Sequence, residues 1–189
     1  MLPENSAKYI DDIIKQNGIR KILSGIRSPL LKMVIMFRIA SLLFVVGKCR
    51  QAFSWCNRII SEFENYEVFA EMLIMANVMK CMIGFDTGDH AIVESILRSL
   101  SRRKKYLTQR ENKKYLLLII SYFEKLNKDQ TIERYNRDLS VLKNKLEHFD
   151  CSTDEVIFGF VDIISWIESK IEDRPIAEII RKKAQQIRA

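Results

Sequence analysis

The sequence predicts an all-α protein of antiparallel helical hairpins stacked in a right-handed superhelix, and three observations carry that prediction. Apolar residues recur at helical spacing along almost every segment, and strand-type alternation is absent. Helices alternate in character: 30–46, 66–85 and 114–126 are apolar nearly all round, whereas their followers are apolar on one face. A helix without a polar face has to be covered on several sides. The breaks between paired helices fall at Gly47, Gly88 and Lys128, intervals of 41 and 40 residues, which is a two-helix repeat period. Gly 6 and Pro 3 in 189 residues are under half the usual combined share of about 12%. That leaves little for the tight turns of a β-sandwich or the loop of a dinucleotide fold.

In chain order, 6–16 reads as a short amphipathic helix with Tyr9, Ile10, Ile13 and Ile14 on one face, stopped by Asn17-Gly18. A second short piece, 19–26, leads to Ser28-Pro29, a cap followed by a first-turn proline. Helix 30–46 ends at Gly47, and 51–63 follows with Phe53, Cys56, Ile59, Ile60 and Phe63 in phase. Helix 66–85 stops at Asp86-Thr87-Gly88-Asp89, and the next turns Ile92, Val93, Ile96, Leu97 and Leu100 inward. Thr108 and Glu111 match a capping box opening a helix through Leu126. Residues 131–149 form its amphipathic partner, through Ile132, Tyr135, Leu139, Leu142 and Leu146. A second box, Ser152 and Glu155, precedes a helix with Val156, Phe160, Ile163, Ile164, Ile167 and Ile171 on one side. Asp173-Arg174-Pro175 starts the last helix, 176–186. The expected organisation is one domain, 1–189: N-terminal helices 1–28, hairpins 29–64, 65–107 and 108–150, and a C-terminal hairpin 151–189.

Composition narrows the function classes. With 48% hydrophobic and 29% charged residues, the chain is neither disordered nor collagen-like. Lys32 and Arg38 interrupt the apolar stretch 30–46, so no membrane span is expected, and the acidic, polar N-terminus is no signal peptide. Cys49, Cys56, Cys81 and Cys151 lack CxxC spacing and read as reduced core thiols of a cytoplasmic protein. The formal charge is +7, and all of it lies in residues 98–114, which hold eight basic residues against Glu111 alone. The remainder of the chain is neutral.

Around the first break, Ala40, Leu43, Gly47 and Ala52 stand as a small residue, a bulky one, the turn glycine and a second small residue. This pattern resembles the tetratricopeptide (TPR) core, although Cys49 replaces the usual aromatic. The second copy keeps the turn at Gly88 and departs at Val93, where a small residue is expected; the third has no glycine. Over roughly 70–182, the strings GDHAIVESILRSL (88–100), the belt 102–105 and FVDIISWIESKIEDRPIAEII (160–180) are similar to the C-terminal region of large TPR-like proteins of Bacteroidetes. That resemblance implies the end piece of a longer repeat protein and brings no catalytic residues.

The basic belt is the strongest functional feature. Arg98, Arg102, Arg103, Lys104, Lys105 and Arg110 are the expected partner-binding residues, joined by Lys32 and Arg38, whose charges interrupt an otherwise buried helix. The belt suits an acidic protein partner. It also suits RNA or DNA phosphates, with Tyr106 and Tyr115 available for stacking, or a solvated helix end whose cations each contribute about 0.3–1 kcal/mol. Met72, Met75, Met79 and Met82, with Met33 and Met36, form a stripe suited to core filling or to a peptide groove. Trp55 and Trp166 suit core or rim packing. His90 and His148 have no ligand at metal spacing. Glu168 and Glu172 share a face, but catalytic and cofactor motifs are absent. The expected function is a non-enzymatic protein–protein interaction scaffold without metal or cofactor. The alternatives are nucleic-acid binding through the belt, or a structural C-terminal cap of a longer repeat protein.

Overall fold

A serine before a proline opens the first long helix. The computed structural model describes residues 18–108, 114–128, 131–148 and 162–186. In it, Ser28 Oγ accepts the Leu31 amide at 3.4 Å and Pro29 takes the first position of α2 (Pro29–Val45), after a short α1 (Gly18–Gly25). There follow α3 (Cys49–Phe63), a 3₁₀ turn (Glu67–Phe69), α4 (Ala70–Thr87), α5 (His90–Thr108), α6 (Lys114–Leu126), α7 (Ile132–Glu147), α8 (Ile163–Ile171) and α9 (Ile176–Gln186). Among the described residues there is no strand, so the chain is all-α. Among the described residues, each consecutive pair of helices from α2 to α9 packs together, and α4 also touches α6.

Caps and stops follow from side-chain chemistry. Gly47 (φ 78°) and Gly88 (φ 70°) adopt the left-handed conformation that closes a Schellman turn. The Lys48 amide reaches Leu43 O at 2.8 Å, and the Asp89 amide reaches Gly84 O at 2.9 Å. Asp89 Oδ1 then caps α5 through the Ile92 amide at 3.0 Å, Thr131 Oγ1 caps α7, and Asp162 Oδ1 caps α8 through the Ser165 amide at 2.8 Å. After α8 the left-handed position falls to Asp173 (φ 50°), and the Arg174 amide bonds Ser169 O at 2.9 Å.

Three boundaries differ from the sequence reading. Tyr66 is extended rather than helical, and its ring packs with Phe63 and Phe69 at 6.0 and 5.6 Å, so α4 starts at Ala70 after the 3₁₀ turn. Thr108 ends α5 instead of capping α6, because the Arg- and Lys-rich run before it is made of good helix formers with no breaker. Asp162 starts α8 at Ile163. The 6–16 helix, Glu111, Cys151, the Ser152 and Glu155 box, Val156 and Phe160 lie outside the described residues.

The core is continuous from Leu23 to Ile176 and is built around α4. Met33, Met36, Met72, Met75, Met79 and Met82 are all buried, which assigns the methionine stripe to core filling. Cys56 and Cys81 are buried beside it, and burial pushes both thiols up to about 12. Segment Glu67–Thr87 is long and apolar enough to cross a membrane by length and composition, but 67% of its apolar window is buried inside the fold.

The two glycine-closed hairpins pack by exchanging volumes. Leu43 and Ala52 stand four residues before and five after Gly47; Gly84 and Val93 hold the same positions around Gly88. All four are buried. A Cβ at Gly84 would stand 2.5 Å from Val93 Cγ2, and valine is too stiff at χ1 to swing away. The large residue that departs from the repeat pattern at Val93 is therefore accommodated by the glycine opposite it.

The C-terminal hairpin is held by charge as well as by packing. Glu168, its side chain only 13% exposed, receives Lys143 from α7 at 2.8 Å and Lys183 from α9 at 2.6 Å. Lys183 also donates to Ser165 Oγ at 2.9 Å. Burial alone would raise the Glu168 carboxyl, but the two ammonium groups outweigh it and hold it below its ordinary range.

Gly84→Ala should cost about 1–3 kcal/mol by overpacking. Combined with Val93→Ala, it should be less destabilising than the sum of the single substitutions by about 0.5–3 kcal/mol. Chemical denaturation measures both, and additive losses would show that the two positions do not touch. Because the Glu168 carboxyl is depressed in the folded state, its contribution is complete above the ordinary carboxylate pKa of about 4.3 and is lost as pH falls through the folded value. Glu168→Gln should therefore cost about 1–3 kcal/mol at pH 6, with the gap to wild type closing steadily below about pH 4.3.

Candidate functional site

Eight of the 19 residues of α5 separate its start from Arg98, and four more lead to Arg102. Both arginines lie on the exposed side of a helix whose inner face is Val93, Ile96, Leu97 and Leu100. They line an open groove of about 1130 Å³ between α5 and the end of α6, with Glu94 and Ser101 on the α5 wall and Glu124 and Lys128 opposite. Arg98 pairs with Glu94 at 3.0 Å, one helical turn back, and Ser101 Oγ donates to the Glu124 carboxylate across the groove. Arg102 and Lys128 are exposed, and neither makes an ion pair among the described residues.

A second cavity, about 660 Å³, opens beside the first. Phe85, Leu126, Ile132 and the half-buried Tyr135 line it together with His90, Asn127 and Lys128, so Lys128 is its one formally charged lining residue. Burial, helped by the negative charge of Asp86, pushes the Tyr135 phenol up to about 12, so it stays a neutral hydroxyl. The two cavities share His90, Asn127 and Lys128. His90 Nδ1 and Asn127 Oδ1 lie 3.3 Å apart and tie the start of α5 to the end of α6.

The other expected site residues fall as follows. Arg103, Lys104 and Lys105 continue along the α5 backbone, but their side chains lie outside the described residues, as does Arg110 altogether. Lys32 forms an ion pair with Glu62 of α3, and its side chain is 22% exposed. Its charge interrupts α2 because α3 supplies the counter-ion. Arg38 is exposed on α2. Trp55 is half-buried under Arg58, whose guanidinium sits 5.2 Å from the ring centroid. Trp166 is fully buried, its ring against Phe85 and Phe123 and its Nε1 donating to Asp86 at 2.8 Å. Glu168 and Glu172 part company, the first bound by two lysines and the second paired with Lys182 at 3.6 Å.

Sequence reasoning missed Asn127 and Lys128, which read only as a helix break, and the apolar cavity lined by Ile132 and Tyr135. Ile132 and Tyr135 fit the amphipathic pattern of α7 and carry no local mark of a cavity. Among the described residues, no three of His, Cys, Asp and Glu converge as metal ligands. Against known proteins, the chain matches no family model, no curated protein and no solved structure.

Proposed function

We propose that this chain is a non-enzymatic helical-repeat domain, arranged as a TPR-like solenoid, that binds a partner protein segment along α5. The open groove of about 1130 Å³ beside Arg98 and Arg102 is the observation that carries this reading. Support for the repeat arrangement comes from the neighbour-to-neighbour packing of α2 to α9 and from the two Schellman turns 41 residues apart. Stacked helix pairs of this kind build extended surfaces for peptide segments. The belt residues Arg103, Lys104, Lys105 and Arg110 extend the cationic character in sequence beyond Arg102.

A second reading has its own observation. Ile22, Leu30 and Leu31 are 60%, 52% and 52% exposed, an apolar face at the start of the stack. As the C-terminal cap of a longer repeat protein, the chain would receive a preceding repeat there.

Panning a displayed random-peptide library against the purified chain tests the interaction reading. Peptides enriched on wild type should lose binding by roughly tenfold or more, about 1.4 kcal/mol, on an Arg98→Glu/Arg102→Glu variant of unchanged thermal stability. Equal binding by both proteins would remove the α5 groove as the site. A salt-sensitive shift of mixed RNA or DNA oligomers, abolished by the same substitutions, would move the function to nucleic acid.

A further inference from the structure

The groove and the apolar cavity are two halves of one surface, and their chemistry specifies the segment that fits them. They meet at His90, Asn127 and Lys128, so a ligand lying along α5 passes from an apolar pit into a charged channel without leaving the protein. At the pit, Ile132 is 69% exposed on one wall, with the rings of Phe85 and Tyr135 also in the lining. In the channel, both carboxylates already have partners: Glu94 holds Arg98, and Glu124 accepts from Ser101. The Arg98–Glu94 pair is an exposed i,i+4 contact worth little in water, so Arg98 stays open to a further carboxylate. Arg102 on α5 and Lys128 just past α6 add cations on opposite walls.

Resting on the interaction reading above, we propose that the surface takes an acidic peptide segment anchored by one large apolar side chain. The anchor fills the pit, and carboxylates reach Arg98 and Arg102. The spacing follows from the helix. Arg98 and Arg102 lie 8 and 12 residues beyond His90, or about 12 and 18 Å along α5 at about 1.5 Å per residue. An extended chain covers those distances in about four and six residues at about 3.3 Å each. The segment therefore has an apolar residue followed by acids about four and six positions away. An apolar pit beside the cations suits a peptide, which carries a large apolar side chain and carboxylates on one extended chain.

The probe is a fluorescein-labelled peptide with one leucine and glutamates four and six residues later, read by fluorescence anisotropy on the full chain. Its controls carry glutamines for the glutamates, or serine for the leucine. The glutamate peptide should bind roughly tenfold tighter than the glutamine peptide, and Arg102→Glu should abolish that difference. Ile132→Ser should weaken both leucine peptides and leave the serine peptide unchanged. Arg102 and Ile132 are exposed, and circular dichroism checks that both variants keep their fold. Equal binding of glutamate and glutamine peptides, no binding of the glutamate peptide, or indifference to Arg102→Glu would overturn the acidic assignment; library peptides that compete at the same groove would leave the interaction reading standing. A uridine oligomer that binds tighter than every peptide would overturn both.

Discussion

Between Met72 and Gly84 only Asn77 and Lys80 escape full burial, and both are partly covered. The Asn77 amide donates to Leu73 O at 2.9 Å within its own helix. Lys80 lies against the Phe53 ring with its Nζ 5.0 Å from the centroid, and burial lowers its pKa. A helix of this kind is stable in water only when neighbours cover it on all sides. α3, α5 and α6 are those neighbours, and each has to present an apolar stripe toward α4. The one-sidedness of α3 and α5 is thus a consequence of α4 having no side of its own to expose. Their outer faces are the only ones free to carry charge, and Arg98 and Arg102 are found there.

Covering α4 also fixes where the later helices go. Phe85 near its end packs edge-on to Phe123 of α6 at 5.4 Å, and Trp166 of α8 packs against both rings. Asp86 accepts from Trp166 Nε1 at 2.8 Å and pairs with Lys170 at 2.7 Å, which satisfies the indole inside the core. Three alternate helices therefore meet at one point. The same convergence leaves Phe85 lining the apolar pit, so the surface proposed to bind a partner is built partly from the residue that locks the stack.

Much of the fold was legible because its signals are local. Ser28-Pro29, Gly47, Gly88 and Asp173-Arg174-Pro175 each act through bonds within a few residues, and they stand at the helix ends where the sequence places them. Burial of the methionines follows from periodicity alone. The candidate site was legible only in part. Arg98 and Arg102 could be found as charge on a one-sided helix. Lys128 and the pit could not, since a cavity is defined by residues from separate helices and no single segment records it. The counter-ion of Lys32 was equally illegible, because Glu62 lies on another helix.

By itself, the sequence determined that this chain is helical, where most helices begin and end, and which faces must be buried, because propensity, capping and periodicity operate over one or two turns. Tertiary structure alone decided which volumes meet and which charges remain unspent. Gly84 accepts Val93 only because α4 and α5 approach closely enough to forbid a Cβ. Glu168, which shares a helix face with Glu172 in the sequence, has a side chain only 13% exposed because Lys143 and Lys183 arrive from two other helices. Those outcomes depend on distances between segments far apart in the chain, and residue order carries no direct measure of them.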